Sequence, residues 1–377
     1  MSPREPRVLQ FCHGYDGPFL DCARQYAALF EGTGLKVTTV YLTGEADAAV
    51  ERGSASDEVI FLGYSSKAIR GLKLGAMRDL RQIVAERNVL FCIAHRFKPI
   101  YIATLATRLP VIGVHHAFDD YGRASRRLFA RIFSRRLALL AVSNAVRDDI
   151  RTQLPGWPAH RIETLYNRID IESVQADQVS RSMARETLGL PQQAWVVGNV
   201  GRLHPDKDQA TLIRGFASAL PNLPAGSLLA IMGKGRLELE LKRLARDLGV
   251  EAQVRFLGQV ADGRRYFQAF DVFALSSDHE PFGMVLLEAM AAGLPLICTN
   301  CGGGREVVEE VGELFPLGDA TVLGQRLITL SCLNEQGKLE VRERMIERLH
   351  GQFSDKAARQ RFEQLRVSMR LEGNVAD

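Results

Sequence analysis

The segment Glu280-Pro281-Phe282-Gly283-Met284-Val285-Leu286-Leu287-Glu288-Ala289-Met290-Ala291-Ala292-Gly293 sets two carboxylates eight residues apart on a stretch of helical character. Pro281 suits the first turn of a helix and Gly293 suits its end. A helix placed there leaves the N–H groups of Gly283, Met284 and Val285 free, and free amides at the positive end of a helix dipole attract phosphate. Gly283 also admits close approach of a ligand to the backbone. At about 1.5 Å of rise per residue, Glu280 and Glu288 stand on the order of 12 Å apart. They suit gripping two hydroxyl-bearing parts of one extended ligand, not sharing a proton. The competing reading is an amphipathic helix with two solvated glutamates.

Four further groupings stand out. Val196-Val197-Gly198-Asn199-Val200 reads as a strand, and Gly201-Arg202-Leu203-His204-Pro205-Asp206-Lys207-Asp208 reads as the loop after it. Arg202 offers a fork of donors and Lys207 a compact charge, a pairing suited to a diphosphate leaving group, or else two surface cations. Asp206-Lys207-Asp208 spells an acidic metal-binding triplet, but the intervening lysine already supplies a cation, so no metal is expected. Cys301-Gly302-Gly303-Gly304-Arg305 suits close backbone approach to an anion, with a plain flexible turn as the alternative. Pro110-Val111-Ile112-Gly113-Val114-His115-His116 ends an apolar strand in two histidines facing opposite ways, so one of them is expected to face a site. Cys298 and Cys301 form a lone CxxC without the second pair that a zinc site wants.

These groups need a scaffold, and apolar runs alternating with helix-period segments supply one. Val8–Phe11, Lys36–Leu42, Val59–Leu62, Val89–Ala94, Val111–Val114 and Leu139–Val142 read as strands, with Leu20–Gly32 and Leu72–Glu86 among the helices. A second series follows: Trp195–Val200, Ser227–Met232, Gln253–Leu257, Val272–Leu275 and Pro295–Cys298, with helices at Leu237–Leu248 and Met284–Ala292. Strands without polar alternation are buried on both faces, as in a parallel sheet covered by helices. The expected fold class is α/β: two doubly wound, Rossmann-like domains facing across a cleft. The expected domains are residues 1–170, residues 171–354, and a helical segment, Asp355–Leu371, within residues 355–377. A dinucleotide fingerprint would follow the first strand, but Cys12-His13-Gly14-Tyr15-Asp16-Gly17 has two glycines at the wrong spacing.

The chain has 377 residues, 46% apolar and 24% charged, which is ordinary globular composition and excludes disorder as the default. No run of about 18 apolar residues marks a membrane span, and the start does not read as a signal peptide. Six scattered cysteines then point to a reducing, cytoplasmic setting. Residues 1–170 carry 24 Lys and Arg against 17 Asp and Glu, and the remainder 24 against 27, so the first half is the one suited to an anionic partner. Tyr121–Leu140, with Arg123, Arg126, Arg127, Arg131, Arg135 and Arg136 beside Leu128, Phe129, Ile132 and Phe133, reads as a basic helix with an apolar face. Either that face lies in the core, or it meets an anionic membrane or an acidic glycolipid. No nucleic-acid recognition motif accompanies the arginines.

Taken together, the motifs resemble the retaining glycosyltransferases of family 4, with the GT-B fold. The resemblance rests on Glu280 and Glu288 with Pro281-Phe282-Gly283, and on Gly201-Arg202-Leu203 with Lys207. Ala141-Val142-Ser143-Asn144, Asn167-Arg168-Ile169-Asp170 and Phe256-Leu257-Gly258 add to it, although Arg168 replaces the usual glycine. It implies that Glu288 binds the nucleotide ribose, Glu280 the donor sugar, and Arg202 and Lys207 the diphosphate. Phe256 and Leu257 would line the base pocket, and the loop of Gly14 and Gly17 would bring amides near the phosphate, though it departs from the common Gly-Gly form. The family's active-site histidine falls on His116, with His115 as the alternative. The final helix would pack back on the first domain.

Implied too are a hexose taken from a nucleoside-diphosphate sugar, UDP-hexose first and GDP-mannose behind it, and front-side substitution. The acceptor would be a glycolipid or oligosaccharide of the lipopolysaccharide-core kind. No metal or other cofactor is implied. The setting would be cytoplasmic, with peripheral attachment to the inner membrane as an extension. The rivals are a sugar-nucleotide epimerase on the same fold and a non-catalytic sugar-nucleotide-binding protein.

Overall fold

The computed structural model describes residues 5–368. The chain divides into two compact units, Met1–Asn167 with Asp355–Asp377, and Arg168–Ser354.

The first unit holds seven parallel strands: β1 Pro6–Cys12, β2 Lys36–Tyr41, β3 Glu58–Phe61, β4 Asn88–His95, β5 Val111–His115, β6 Leu137–Ala141 and β7 Ile162–Thr164. Their order across the sheet is β3-β2-β1-β4-β5-β6-β7. Every residue of β5 and β6 is buried, as expected of central strands covered on both faces. The order reverses between β1 and β4, and in such sheets ligands bind outside the carboxyl ends of the strands at that reversal. Phe11 lies opposite Ala94, so β1 and β4 release their following loops at the same level. The helix Asp355–Ser368 buries Ala358, Phe362 and Leu365 in this unit's core, with Phe362 edge-on to Phe30 at 5.7 Å. The rest of the helix read from sequence, residues 369–371, lies outside the described residues.

The second unit has six parallel strands: β8 Val196–Val200, β9 Leu228–Met232, β10 Val254–Gly258, β11 Val272–Leu275, β12 Leu296–Thr299 and β13 Glu313–Phe315. Their order is β10-β9-β8-β11-β12-β13, with the reversal between β8 and β11. Val197, Leu229, Ile231, Val272 and Ile297 pack with Leu212, Phe216 and Leu241 from the covering helices.

The arginine-rich stretch departs from expectation. Its helix is only Ala124–Ile132, because Phe133 caps it and β6 begins at Leu137. Phe129 and Ala130 are buried, but Leu128 and Ile132 are 60% and 64% exposed. The core therefore takes only part of the apolar side.

Candidate functional site

In the second unit, the loops after β8 and β11 meet at the strand-order reversal. Lys207 Nζ lies 2.7 Å from Glu280 Oε2, with both side chains mostly buried. Ser276 donates its hydroxyl to the Lys207 carbonyl at 2.9 Å, and the Asp278 amide donates to the Asp206 carbonyl at 3.0 Å. These bonds fix one loop against the other. Arg202 stays exposed, its guanidinium 3.4 Å from Asp206 Oδ2. Asp206 also meets His204 Nδ1, and Asp208 caps the helix Gln209–Ala219 by accepting from the Thr211 amide. The Asp206-Lys207-Asp208 triplet thus sends its three side chains to separate partners and does not form a chelate. Among the described residues, no group of three or more His, Cys, Asp or Glu side chains is placed to hold a metal ion.

The helix after Glu280 starts later than Pro281 suggested, spanning Met284–Ala291 with Gly283 before it at φ 95°. The delay has a packing cause. Gly303 donates its amide to the Glu280 carbonyl at 2.8 Å, and Phe282 is buried edge-on to Phe353, so Glu280–Phe282 are held as a loop. Among the described residues, the amides of Gly283, Met284 and Val285 have no backbone acceptor, whereas Leu286 donates to the Gly283 carbonyl at 2.9 Å. Gly293 ends the helix at φ 76°. Glu288 sits half-buried one turn before that end.

The Gly302-Gly303-Gly304 run has a structural reason that the sequence did not disclose. A Cβ on Gly302 would lie 2.4 Å from the Glu280 carbonyl oxygen, and one on Gly303 would lie 2.2 Å from that of Pro281. The glycines admit the Glu280 loop itself, and the amide of Gly303 is consumed by it. The Cys301 thiol donates to the Ser277 carbonyl at 3.2 Å, and burial pushes the pKa of the enclosed Cys298 thiol upward. All six cysteines are free. On the edge strand β10, Phe256 packs on the core beneath Lys242, so Leu257 faces the opposite side.

In the first unit, the structure separates the two histidines. His115 is fully buried, its Nδ1 2.7 Å from Asp120 Oδ2 and its Nε2 3.2 Å from the Tyr121 hydroxyl. Burial pushes the Asp120 carboxyl up, but the His115 hydrogen bond, the His115 charge and the Arg126 charge outweigh it and hold its pKa below the usual range. His116 is half-buried, with Nε2 3.2 Å from His95 Nδ1, Nδ1 4.0 Å from Cys22 Sγ, and its ring edge-on to Phe19. Burial, with the charges of His115 and Arg96, lowers the His116 pKa to about 4. Gly14 is packed against Thr43, whose hydroxyl donates to the His13 carbonyl at 2.7 Å, while Gly17 turns the chain in open space at φ 61°.

Sequence reasoning missed His13, His95 and Arg96. They become legible only once β1 and β4 are known to be neighbours. The inter-domain markers prove to be local braces. Ser143 caps the helix Asn144–Gln153, Asn144 binds Thr164 and Tyr166, and Asp170 caps Ile171–Ala176.

Comparison with known proteins now gives this scaffold a class. Residues 22–173 match the model of Glycosyltransferase Family 4, and residues 180–349 match that of Glycosyl transferases group 1. A glycosyltransferase from Rickettsia africae superposes with a TM-score of 0.82 over 98% of this chain and 99% of its own, at 16% identity. Anabaena Alr3699/HepE, solved with UDP and glucose, superposes with a TM-score of 0.74 over 96% of this chain and 99% of its own, at 22% identity. The fold is GT-B. Between them the two family models span most of the chain, which belongs to the family 4 glycosyltransferases.

By sequence, the lipopolysaccharide core biosynthesis glycosyltransferase LpsE of Rhizobium meliloti is 37% identical over 186 residues, 49% of this chain and 53% of the relative. A D-inositol 3-phosphate glycosyltransferase of Rhodococcus opacus is 38% identical over 150 residues, 36% of this chain and 34% of the relative. The chain thus spans between a third and about half of the length of these curated relatives. Among the described residues, no helix is long and apolar enough to cross a membrane.

Proposed function

We propose that the chain transfers a hexose from a nucleoside-diphosphate sugar to a glycan or glycolipid acceptor of the lipopolysaccharide-core type, with retention of anomeric configuration. The observation that carries this is the Lys207–Glu280 contact at the β8/β11 reversal, flanked by Arg202 and by the open amides of Gly283–Val285. The cations and amides suit a diphosphate, and Glu280 suits sugar hydroxyls at the same point. Glu288 takes the ribose hydroxyls, and Leu257, on the face of β10 opposite the core-packed Phe256, borders the base. Within the first unit, His116, a neutral imidazole, is the active-site histidine. UDP-hexose is the first choice of donor, in keeping with the UDP and glucose bound by Alr3699/HepE. The acceptor class follows the name of the LpsE relative.

Chemically, the bond from the anomeric carbon to the diphosphate oxygen breaks while the acceptor hydroxyl oxygen bonds on the same face. The departing phosphate oxygen takes the acceptor's proton. Charge accumulates on the diphosphate, where Arg202 and Lys207 act; preorganised donors of this kind supply several kcal/mol at a developing oxyanion. No metal or other cofactor is required.

The protein is placed in the cytoplasm, with peripheral attachment to an anionic membrane. Leu128 and Ile132 are exposed beside Arg123, Arg131 and Arg135, and a cationic face with apolar anchors suits that surface. Incubation with labelled UDP-hexoses and core oligosaccharide, with the product's linkage read by NMR, tests the function. An α-linked product from an α-donor is expected. Donor conversion to an epimer without any acceptor would replace this function with the epimerase.

A further inference from the structure

The first unit has its own strand-order reversal, between β1 and β4, and the groups gathered there are not explained by packing. Because Phe11 and Ala94 are paired, His13 and Arg96 leave adjacent strands at the same level, each two residues further on. The Arg96 amide donates to the Val114 carbonyl, which brings the end of β5, and with it His116, alongside. Arg96 and Lys98 are exposed and form no ion pair among the described residues. Both stand at the start of the helix Phe97–Ala106, where the dipole is positive and cations are disfavoured unless an anion accompanies them.

Two further observations point the same way. Among the described residues, Nδ1 of His13 and Nε2 of His95 are buried without a hydrogen-bond partner, and His95 is 2% exposed. Arg96 holds φ 72° and ψ 159°, backbone space that is nearly exclusive to glycine, so its side chain is retained against a conformational cost. Its guanidinium sits 4.9 Å over the Phe19 ring, and Phe19 in turn meets His116 edge-on. Burial first, then the charges of Arg96 and Lys98, lower the His13 pKa to about 4, with Asp16 opposing. This corner of the molecule therefore has a surplus of positive field and vacant imidazole capacity.

We infer that Arg96 and Lys98, with His13 beside them, form a binding site for a phosphate-type anion at the carboxyl ends of β1 and β4. Arg96 supplies forked donors and Lys98 a point charge, and His13 gains its proton when the anion binds. The inference deepens the proposed function by giving the acceptor's phosphate a place, and it rests on that function only for the anion's source. The same chemistry is carried by the donor's diphosphate.

The test is a titration of the whole protein, selectively labelled in its histidine rings, with inorganic phosphate. The His13 signal is expected to shift saturably, and its apparent pKa to rise by one or more. Chloride at matched ionic strength should not reproduce either change. Arg96→Gln with Lys98→Gln should weaken phosphate at least tenfold. Arg96→Gly should raise Tm by relieving the backbone while also weakening phosphate. An Arg202→Ala, Lys207→Ala background should leave the phosphate response intact. In that background, a response to hexose phosphate but not to UDP assigns the anion to the acceptor, and the reverse assigns it to the donor; either supports the site. No shift with phosphate, an equal shift with chloride, or a shift surviving Arg96→Gln with Lys98→Gln would overturn it. If phosphate binds as expected while no sugar is ever transferred, the proposed function fails and the site stands.

Discussion

Removing the charge of Lys207 separates its role in folding from its proposed role with the donor. The Lys207–Glu280 pair is 2.7 Å apart, with side chains 18% and 11% exposed. At an effective dielectric of about 20, that separation corresponds to roughly 6 kcal/mol of gross attraction. Desolvation offsets most of it, leaving a coupling of about 2 kcal/mol. Lys207→Met should therefore lower the Tm of its unit by about 4–8 °C, because Glu280 is left enclosed without its cation. Glu280→Gln should cost less. The double variant should recover most of the loss, since no charge then remains unmatched.

Turnover should behave differently from stability. Losing one donor from a developing oxyanion typically costs about 10²–10³ in kcat. With Lys207 on the diphosphate and Glu280 on the sugar, each single variant should lose activity and the double variant should lose at least as much. Thermal unfolding and initial-rate transfer, measured on all four proteins, decide the matter. If the double variant regains turnover along with Tm, the pair is a structural brace and its placement on the donor is wrong.

Gly303→Ala places a Cβ 2.2 Å from the Pro281 carbonyl oxygen, so the Glu280 loop must shift; a loss of donor-binding free energy larger than the loss of unfolding free energy is expected, by titration calorimetry and thermal unfolding. His13, His95 and His116 all have folded pKa values below their unfolded ones, so the stability they permit is present above about pH 6.5 and is lost as pH falls, for His13 and His116 toward about 4. Tm should drop by several degrees over that window, and His13→Asn should flatten part of the slope. Phe362→Ala, removing an aromatic ring from the first unit's core, should cost about 3–4 kcal/mol, read as a lower denaturant midpoint. Leu128→Ser with Ile132→Ser should abolish flotation with anionic liposomes while leaving Tm within about 2 °C, because both side chains are exposed.

Much of the scaffold was legible because parallel strands buried on both faces are written as unbroken apolar runs, and β5, β6 and β9 show this plainly. The edge strands β7 and β13, three residues each, are too short to show a pattern and escaped notice. Glu280, Lys207 and Arg202 stood out by residue type and spacing. Their mutual geometry did not, because it depends on β8 and β11 being neighbours despite lying some 70 residues apart in sequence. The same limit hid His13 and Arg96, which become neighbours only through the β1–β4 pairing. The triple glycine was visible, but its reason lay in the carbonyls of Glu280 and Pro281. His115 and His116 could not be told apart until Asp120 and Tyr121 were seen to occupy both nitrogens of His115.

Titration calorimetry of UDP, GDP and ADP into the wild-type protein and into Arg202→Ala, Lys207→Ala is the most direct measurement of the proposed diphosphate site. One of the three nucleotides should bind the wild type, and the double variant should bind it at least a hundredfold more weakly, with the matching nucleoside alone unaffected by the substitutions. Equal affinity for that nucleotide in both proteins would contradict the placement of Arg202 and Lys207 on the leaving group.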